Sequence, residues 1–302
     1  MNEETFISDI DLSKQAVIEP GVENLQYKFH EKLLFAFVPD DEINSFLDKH
    51  SHKTLGKFKT VSFRPKIYEV EVNNQLITLC QAPVGAPAST KFLDWLINYG
   101  VKQVLSVGNA GALANLPENT IFVPQRAIRG EGTSFYYKEP SKIITLNKKF
   151  VRSVENEIKK LGLQYEEGTT WTTDGFFRET PKQVLQAKEL GAKTVEMECS
   201  ALAACAEFRN ISFAQILFTA DSLADMDNYD KRNWGHDSYS VGLNIGSQVL
   251  THFCINIFIA LWANLNHALL TPKSMKFKLT MNFSLCVKHP WEHQQLLNYL
   301  SG

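Results

Sequence analysis

The strongest constraint in this chain is an alternation of hydrophobic period. Short β-branched or apolar runs are repeatedly followed by stretches whose apolar residues recur every three or four positions. "KLLFAFV" (32–38) reads as a strand, and "DDEINSFLDKH" (40–50) as a helix whose acidic first turn suits the helix dipole. "YEVEVNNQLITLC" (68–80) reads as a hairpin turning at Asn73 and Asn74. "STKFLDWLINYG" (89–100) carries a serine N-cap, a helical apolar period and a glycine stop. "VKQVLSV" (101–107), "TIFVPQRAI" (120–128), "GTTWTTD" (168–174) and "FAQILFTAD" (213–221) read as further strands, and "NKKFVRSVENEIKKLG" (147–162) as a long exposed helix. Strands alternating with helices predict an α/β fold, a single domain with a central mixed, largely parallel β-sheet flanked by helices. The divisions expected are an N-terminal extension over 1–30, the sheet domain over 31–250, and a C-terminal helix with an atypical tail over 251–302.

Composition narrows the class. The chain has 302 residues, 44% hydrophobic and 21% charged, enough for one large core. Its net charge of −2 provides no positive field for a nucleic-acid backbone, so no nucleic-acid partner is expected. Cys80, Cys199, Cys205, Cys254 and Cys286 are scattered without a CxxC pair, which reads as reduced core thiols in a reducing compartment. The acidic start "MNEETFISDIDLSK" has no signal-peptide pattern, and a cytoplasmic location is expected. The apolar stretch 249–270 is interrupted by His252, Asn256, Asn264, Asn266 and His267, so a buried helix or subunit interface is expected rather than a membrane partner. No metal site is expected either: "DMDNYDKRNWGHD" (225–237) lacks the glycine and glutamate of a calcium loop and reads as a solvated loop that could act as a lid.

In open α/β sheets ligands collect at strand ends. Four such ends stand out. In "SVGNAGAL" (106–113), Gly108 and Asn109 either pack a tight turn or let the backbone approach a sugar or anion. In "TTDGFFRET" (172–180), Phe176 and Phe177 either plug the core or stack on a planar ligand, with Arg178 as donor. In "TVEMEC" (194–199), Glu196 and Glu198 either start a helix or accept hydrogen bonds from vicinal hydroxyls, with Met197 as a soft face. Asp221, in "FTADSLAD" (218–225), is either an N-cap or an acid raised by burial so that it can give up a proton.

These four stretches, in this order, resemble the nucleoside phosphorylase and nucleosidase superfamily of purine and uridine phosphorylases and methylthioadenosine/S-adenosylhomocysteine nucleosidases. "VGAPASTKFLDWLINYGVKQVLSVGNAGAL" (84–113) looks like its Gly-x-Pro helix and glycine turn, and "VEMECSALAACAEF" (195–208) like its Glu-Met-Glu signature. Asp221 follows Glu198 by 23 residues, the spacing of the catalytic aspartate in purine-acting members. "IRGEGTSFYY" (128–137) is similar to uridine phosphorylases and to uncharacterised bacterial phosphorylase-like proteins. The resemblance covers 32–250 and implies a phosphorylase/hydrolase-like fold that cleaves N-glycosidic bonds. It implies that Glu198 holds the ribose hydroxyls, Met197 packs on the sugar, Asp221 serves the leaving purine, and Phe176 or Phe177 lies near the base; Glu196 is placed behind them. It implies no cofactor, phosphate as co-substrate in a phosphorylase, a nucleoside as partner and a homo-oligomer.

The departures concern the nucleophile. Asp40, Asn44 and Ser106 stand where phosphorylases carry glycine and phosphate-holding arginines, leaving Arg126, Arg129 and Arg178 as other possible phosphate ligands. Glu42 stands where nucleosidases keep the glutamate that activates water. The first expectation is therefore a phosphorylase giving free base and ribose 1-phosphate from a purine or uridine nucleoside. The alternatives are a hydrolytic nucleosidase using Glu42, and a non-catalytic nucleoside-binding protein.

Overall fold

The computed structural model describes residues 10–252. The chain divides into two units, residues 1–253 and 254–302, and the first is described here. The start of the expected N-terminal extension, and the helix and tail expected beyond residue 252, lie outside the described residues; so does most of the apolar stretch 249–270.

The elements are β1 (Lys32–Ala36), α1 (Asp40–Leu47), β2 (His52–Lys57), β3 (Lys66–Val72), β4 (Gln75–Gln81), α2 (Ala86–Asn98), β5 (Gln103–Ala112), β6 (Ile121–Gly130), β7 (Ile143–Thr145), α3 (Lys148–Lys160), β8 (Glu166–Thr173), α4 (Pro181–Glu189), β9 (Ala192–Glu196), α5 (Cys199–Phe208) and β10 (Ser212–Ser222). A further helix, α6, covers 238–252 among the described residues. The Asn73-Asn74 turn forms as the sequence predicts: β3 and β4 pair antiparallel, and both asparagines take the positive φ that this tight turn requires.

The sheet is mixed, with parallel pairing at its centre. β4, β1, β5 and β10 run parallel side by side. β2 and β3 extend one edge antiparallel. On the other side β5 also pairs with β9, β9 with β8, β8 with β6, and β6 with β10. Five strands therefore close on themselves through β5, which bonds to β1, β9 and β10 along different parts of its length. The sequence reading did not predict this closure.

Closure explains why two strands run further than expected. Gly108-Asn109-Ala110-Gly111-Ala112 forms the end of β5 instead of a turn after it, because its small residues let a third strand approach. A Cβ on Gly108 would lie 2.9 Å from Cβ of Phe37, and one on Gly111 would lie 3.0 Å from Val195 on β9. β10 likewise continues through Asp221 to Ser222, so Asp221 sits within a strand and caps no helix. β2 and α4 were also unforeseen; α4 begins with a capping box in which the Thr180 side chain and Gln183 hold each other's backbone.

The main core lies between the sheet and its helices. Phe35, Phe92 and Phe213 are among its largest fully buried side chains, and Phe122 is buried in a smaller cluster with Ala110 and Leu217. Phe92 of α2 packs its ring against Phe35, Phe58 and Trp95, with centroids 5.6, 4.5 and 6.2 Å away. Cys80, Cys199 and Cys205 are buried free thiols, as expected. α2 is tied to α5 by Asp94, which takes a forked pair of bonds at 2.7 and 2.9 Å from Arg209 and one at 3.1 Å from the Tyr137 hydroxyl. Phe92→Ala is expected to destabilise the fold by about 3–5 kcal/mol through cavity formation. Urea unfolding checks it, and a loss below about 1 kcal/mol would show that α2 is not anchored through this ring.

Candidate active site

The site forms where β4, β5, β8, β9 and β10 end. β9 stops at Glu196 and α5 starts at Cys199, so "EMEC" is the strand-to-helix turn, with Glu198 as its N-cap residue. Small residues at Ala201, Ala203, Ala204 and Ala206 seat α5 closely below the turn, where all four are buried.

Both glutamates are 6% exposed. Glu196 is fully engaged: its Oε2 accepts the backbone amides of Glu198 and Cys199 at 2.8 and 2.7 Å, and its Oε1 accepts Thr172 Oγ1 at 2.6 Å. Thr172 in turn accepts the Ser200 amide at 3.0 Å. Behind them Glu131 accepts Ser200 Oγ at 2.7 Å and the Ser134 amide at 2.8 Å. Glu196 thus helps to satisfy the helix N-terminus, where a carboxylate is favoured. Glu198 takes a short bond from the Gly85 amide. Gly85 has φ +98°, in the region that favours glycine, which lets its N–H face the carboxylate.

Burial raises the titration of both carboxyls; the like charge of Glu196 raises Glu198 further, while the Gly85 amide opposes the shift. Lone pairs on Glu198 beyond the Gly85 bond can accept two hydroxyls at once. Met197, half-buried, lies between the two acids.

Asp221 enters from β10. A point 3.3 Å from its Oδ1 is where a Cβ on Gly111 would stand, and Val195 Cγ1 is 3.0 Å from that same point. β10 and β9 therefore bring Asp221 beside the residue preceding Glu196. Asp221 is 8% exposed. Burial raises its titration, against the Tyr229 hydroxyl that donates to its Oδ2 at 3.0 Å and the charge of Arg232. Glu179, absent from the sequence-based set, belongs to the same corner: burial and Asp221 push it to about 7. Its signal lay in "FFRET", one residue beyond the arginine that was singled out. Tyr229 was passed over within a stretch read as solvated loop.

The remaining expected residues divide. Phe176 and Phe177 sit on a short 3₁₀ turn with Arg178, all exposed, Phe177 at 93%. Phe176 meets Phe177 edge-on at 5.0 Å and Trp234 at 6.4 Å, so it forms part of an aromatic rim rather than a core plug. Gly108 is spent on the close approach to Phe37 and on pairing with Leu217. Asn109 uses Nδ2 on the carbonyls of Trp234 and Gly235 and Oδ1 on Ser238 Oγ, so it fastens the following loop. Glu42 stands half-buried in the first turn of α1, beyond the end of β1, flanked by Asp40 and Asp41. A cleft of about 450 Å³ beside the Gly85 turn is lined by Pro87, Thr90, Lys91, Gly132, Tyr136 and Asp174, among others.

Of the arginines considered for phosphate, Arg178 is exposed on the aromatic rim beside Phe176 and Phe177. Arg129 is buried and spends its guanidinium on Ser134 Oγ, Ser141 Oγ and the carbonyls of Lys138 and Glu139, at 2.6–3.0 Å. Arg126 is exposed on β6. Ser106 is fully buried in β5. Among the described residues, no group of three or more His, Cys, Asp or Glu side chains is arranged to hold a metal ion. No helix there is long and apolar enough to cross a membrane.

The titration of Glu198 gives a stability test. A carboxyl whose folded value is raised contributes stability below its ordinary value, near 4.5, that is lost as pH climbs through the raised value. Glu198→Gln keeps an acceptor for Gly85 and cannot ionise. Its melting temperature relative to the parent is therefore expected to rise between pH 5 and pH 8.5, at up to about 1.4 kcal/mol per pH unit. Parallel melting curves across that range would show that Glu198 is not raised.

Comparison with known proteins bears on the family and the fold. The profile of the Phosphorylase superfamily matches residues 35–240. The chain is 25% identical over 172 residues to the DeoD-type purine nucleoside phosphorylase of Streptococcus pneumoniae strain CGSP14, covering 53% of this chain and 71% of that one. It also matches the uncharacterized protein R802 of Acanthamoeba polyphaga mimivirus, spanning 58% of that protein's length. Among solved structures, uridine phosphorylase from Vibrio fischeri ES114 superposes with a TM-score of 0.63 at 18% identity, over 77% of this chain and 94% of that one. AMP nucleosidase from Bacteroides thetaiotaomicron gives 0.60 at 20% identity, over 76% and 90%. The solved structures show likeness of fold alone, and by name they include both a phosphorylase and a nucleosidase. With a matched sequence profile over most of its length, a closed mixed sheet and buried acids at its strand ends, this chain belongs to the Phosphorylase superfamily.

Proposed function

We propose that this protein cleaves the N-glycosidic bond of a purine nucleoside, transferring the ribosyl group to phosphate. The observation that carries the reading is the buried Glu198, held by Gly85 at a strand-to-helix turn, with a second buried acid, Asp221 on β10, beside Val195 of the strand that leads into that turn. Glu198 accepts the two ribose hydroxyls and Met197 covers the sugar. As the C1′–N bond lengthens, positive charge grows on the sugar and negative charge on the base. The fixed carboxylates at 196 and 198 favour the first, and a proton from Asp221 meets the second. Phe176, with Trp234 beyond it, offers the base an aromatic face. Phosphate as acceptor is supported by the family and by the named phosphorylase relatives. Homo-oligomeric assembly and a cytoplasmic location are part of the same proposal.

Hydrolysis is the second reading, favoured by a specific observation. Arg129 is fully engaged elsewhere, and the loop entering α1 presents Asp40, Asp41 and Glu42. Anions there oppose phosphate and suit activation of water by Glu42. Base release from inosine, adenosine, uridine and methylthioadenosine, with and without phosphate, separates the two. Release is expected to depend on phosphate and to favour purines; equal release in phosphate-free buffer would establish hydrolysis instead. Glu198→Ala and Asp221→Ala are each expected to lower kcat/KM for a purine nucleoside by about 100-fold or more. Full activity in either variant would remove that residue from its role.

A further inference from the structure

The loop after β10 is built more firmly than an ordinary surface connection. Ser222 and Asp230 exchange backbone bonds at 2.7 and 3.2 Å. Arg232 braces the carbonyls of Ala220 and Leu116 at 3.0 and 2.6 Å. Glu118 caps the amides of Asn233 and Gly235 at 2.9 and 3.0 Å. Asn109 holds the carbonyls of Trp234 and Gly235. Arg232 and Trp234 both take positive φ, 48° and 56°, a conformation that non-glycine residues keep only where their surroundings impose it. These fastenings deliver the Tyr229 hydroxyl to Oδ2 of Asp221 at 3.0 Å. The Tyr229 ring itself is 52% exposed, so core packing does not account for its placement.

A carboxylic acid can deliver a proton from either oxygen unless one is occupied. Here the phenol O–H occupies Oδ2, while Oδ1 lies on the other side, beside Gly111, Val195 and Leu223. We infer, on the function just proposed, that Tyr229 is a positioning residue for the leaving-group proton: it holds Oδ2 of Asp221 and leaves Oδ1 to carry the proton to the departing base. When the C1′–N bond breaks, its electron pair goes to the base and the proton passes from Oδ1 to a base nitrogen. Tyr229 keeps its own proton and stabilises the carboxylate left behind. Burial and the neighbouring carboxylates of Asp221, Glu179 and Asp230 raise the phenol's own titration, which keeps that proton in place. The groups facing Asp221 are Tyr229 and Arg232 from the loop, which favour its charged form, and Glu179 from the turn before α4, which opposes it.

Tyr229→Phe in the full chain, compared with the parent on a purine nucleoside and on 4-nitrophenyl riboside, tests the inference. The nitrophenolate leaves without needing a proton. Turnover of the purine nucleoside is expected to fall about 10- to 100-fold and that of the nitrophenyl riboside less than about 3-fold. The Asp221 carboxyl carbon, assigned in NMR spectra with Asp221→Asn, is expected to titrate at higher pH in Tyr229→Phe, because a donor to the charged form is gone. An equal loss on both substrates, or an unchanged Asp221 titration, would overturn the inference. A parent that turns over no nucleoside would overturn the proposed function, and the Asp221 titration would still decide the role of Tyr229.

Discussion

Everything at the site depends on keeping two carboxylates dry at the start of one helix. An isolated buried carboxylate is costly, and two adjacent ones repel. Glu196 is made tolerable by three donors, two of them amides of the α5 N-terminus that need acceptors anyway. Glu198 is not compensated to the same degree. With backbone donors alone, Gly85 and Met197, and an acidic neighbour, it keeps acceptor capacity that a diol can satisfy. Burying these acids costs stability, a pattern common at functional sites.

The closed part of the sheet is what makes this corner possible. β5 reaches three neighbours because its last five residues are small, and that reach sets β9 and β10 on either side of it. Asp221 on β10 then lies beside Val195, the residue that precedes Glu196 on β9. Trp234 meets both Phe176 of the aromatic rim and Tyr229, whose hydroxyl is bonded to Asp221.

Much of this was legible in the chain. The paired glutamates, the glycine-rich strand end and Asp221 stand in fixed order and spacing, and the hairpin at Asn73-Asn74 announces itself by turn chemistry. What stayed hidden is relational. Gly108 and Asn109 look like ligand-facing turn residues, but their surroundings turn one into a packing contact and the other into a loop fastening. Arg129 looks like a phosphate ligand until its partners, five to twelve positions away, are seen to consume it. Glu179 and Tyr229 carry no motif; they matter because strand closure places Asp221 beside them. Local pattern fixes an element's type, whereas the use of a polar side chain is decided by whatever tertiary contact reaches it first.

The central claim is that Glu198 reads the two ribose hydroxyls. The most direct measurement is calorimetric binding of adenosine and of 2′,3′-dideoxyadenosine to the parent protein and to Glu198→Ala, without phosphate. The account predicts that the parent prefers adenosine by about 100-fold, as expected for two hydrogen bonds to a buried carboxyl group. It predicts that Glu198→Ala binds the two ligands within about 3-fold of each other. A parent that does not discriminate, or a preference that survives removal of Glu198, would contradict it.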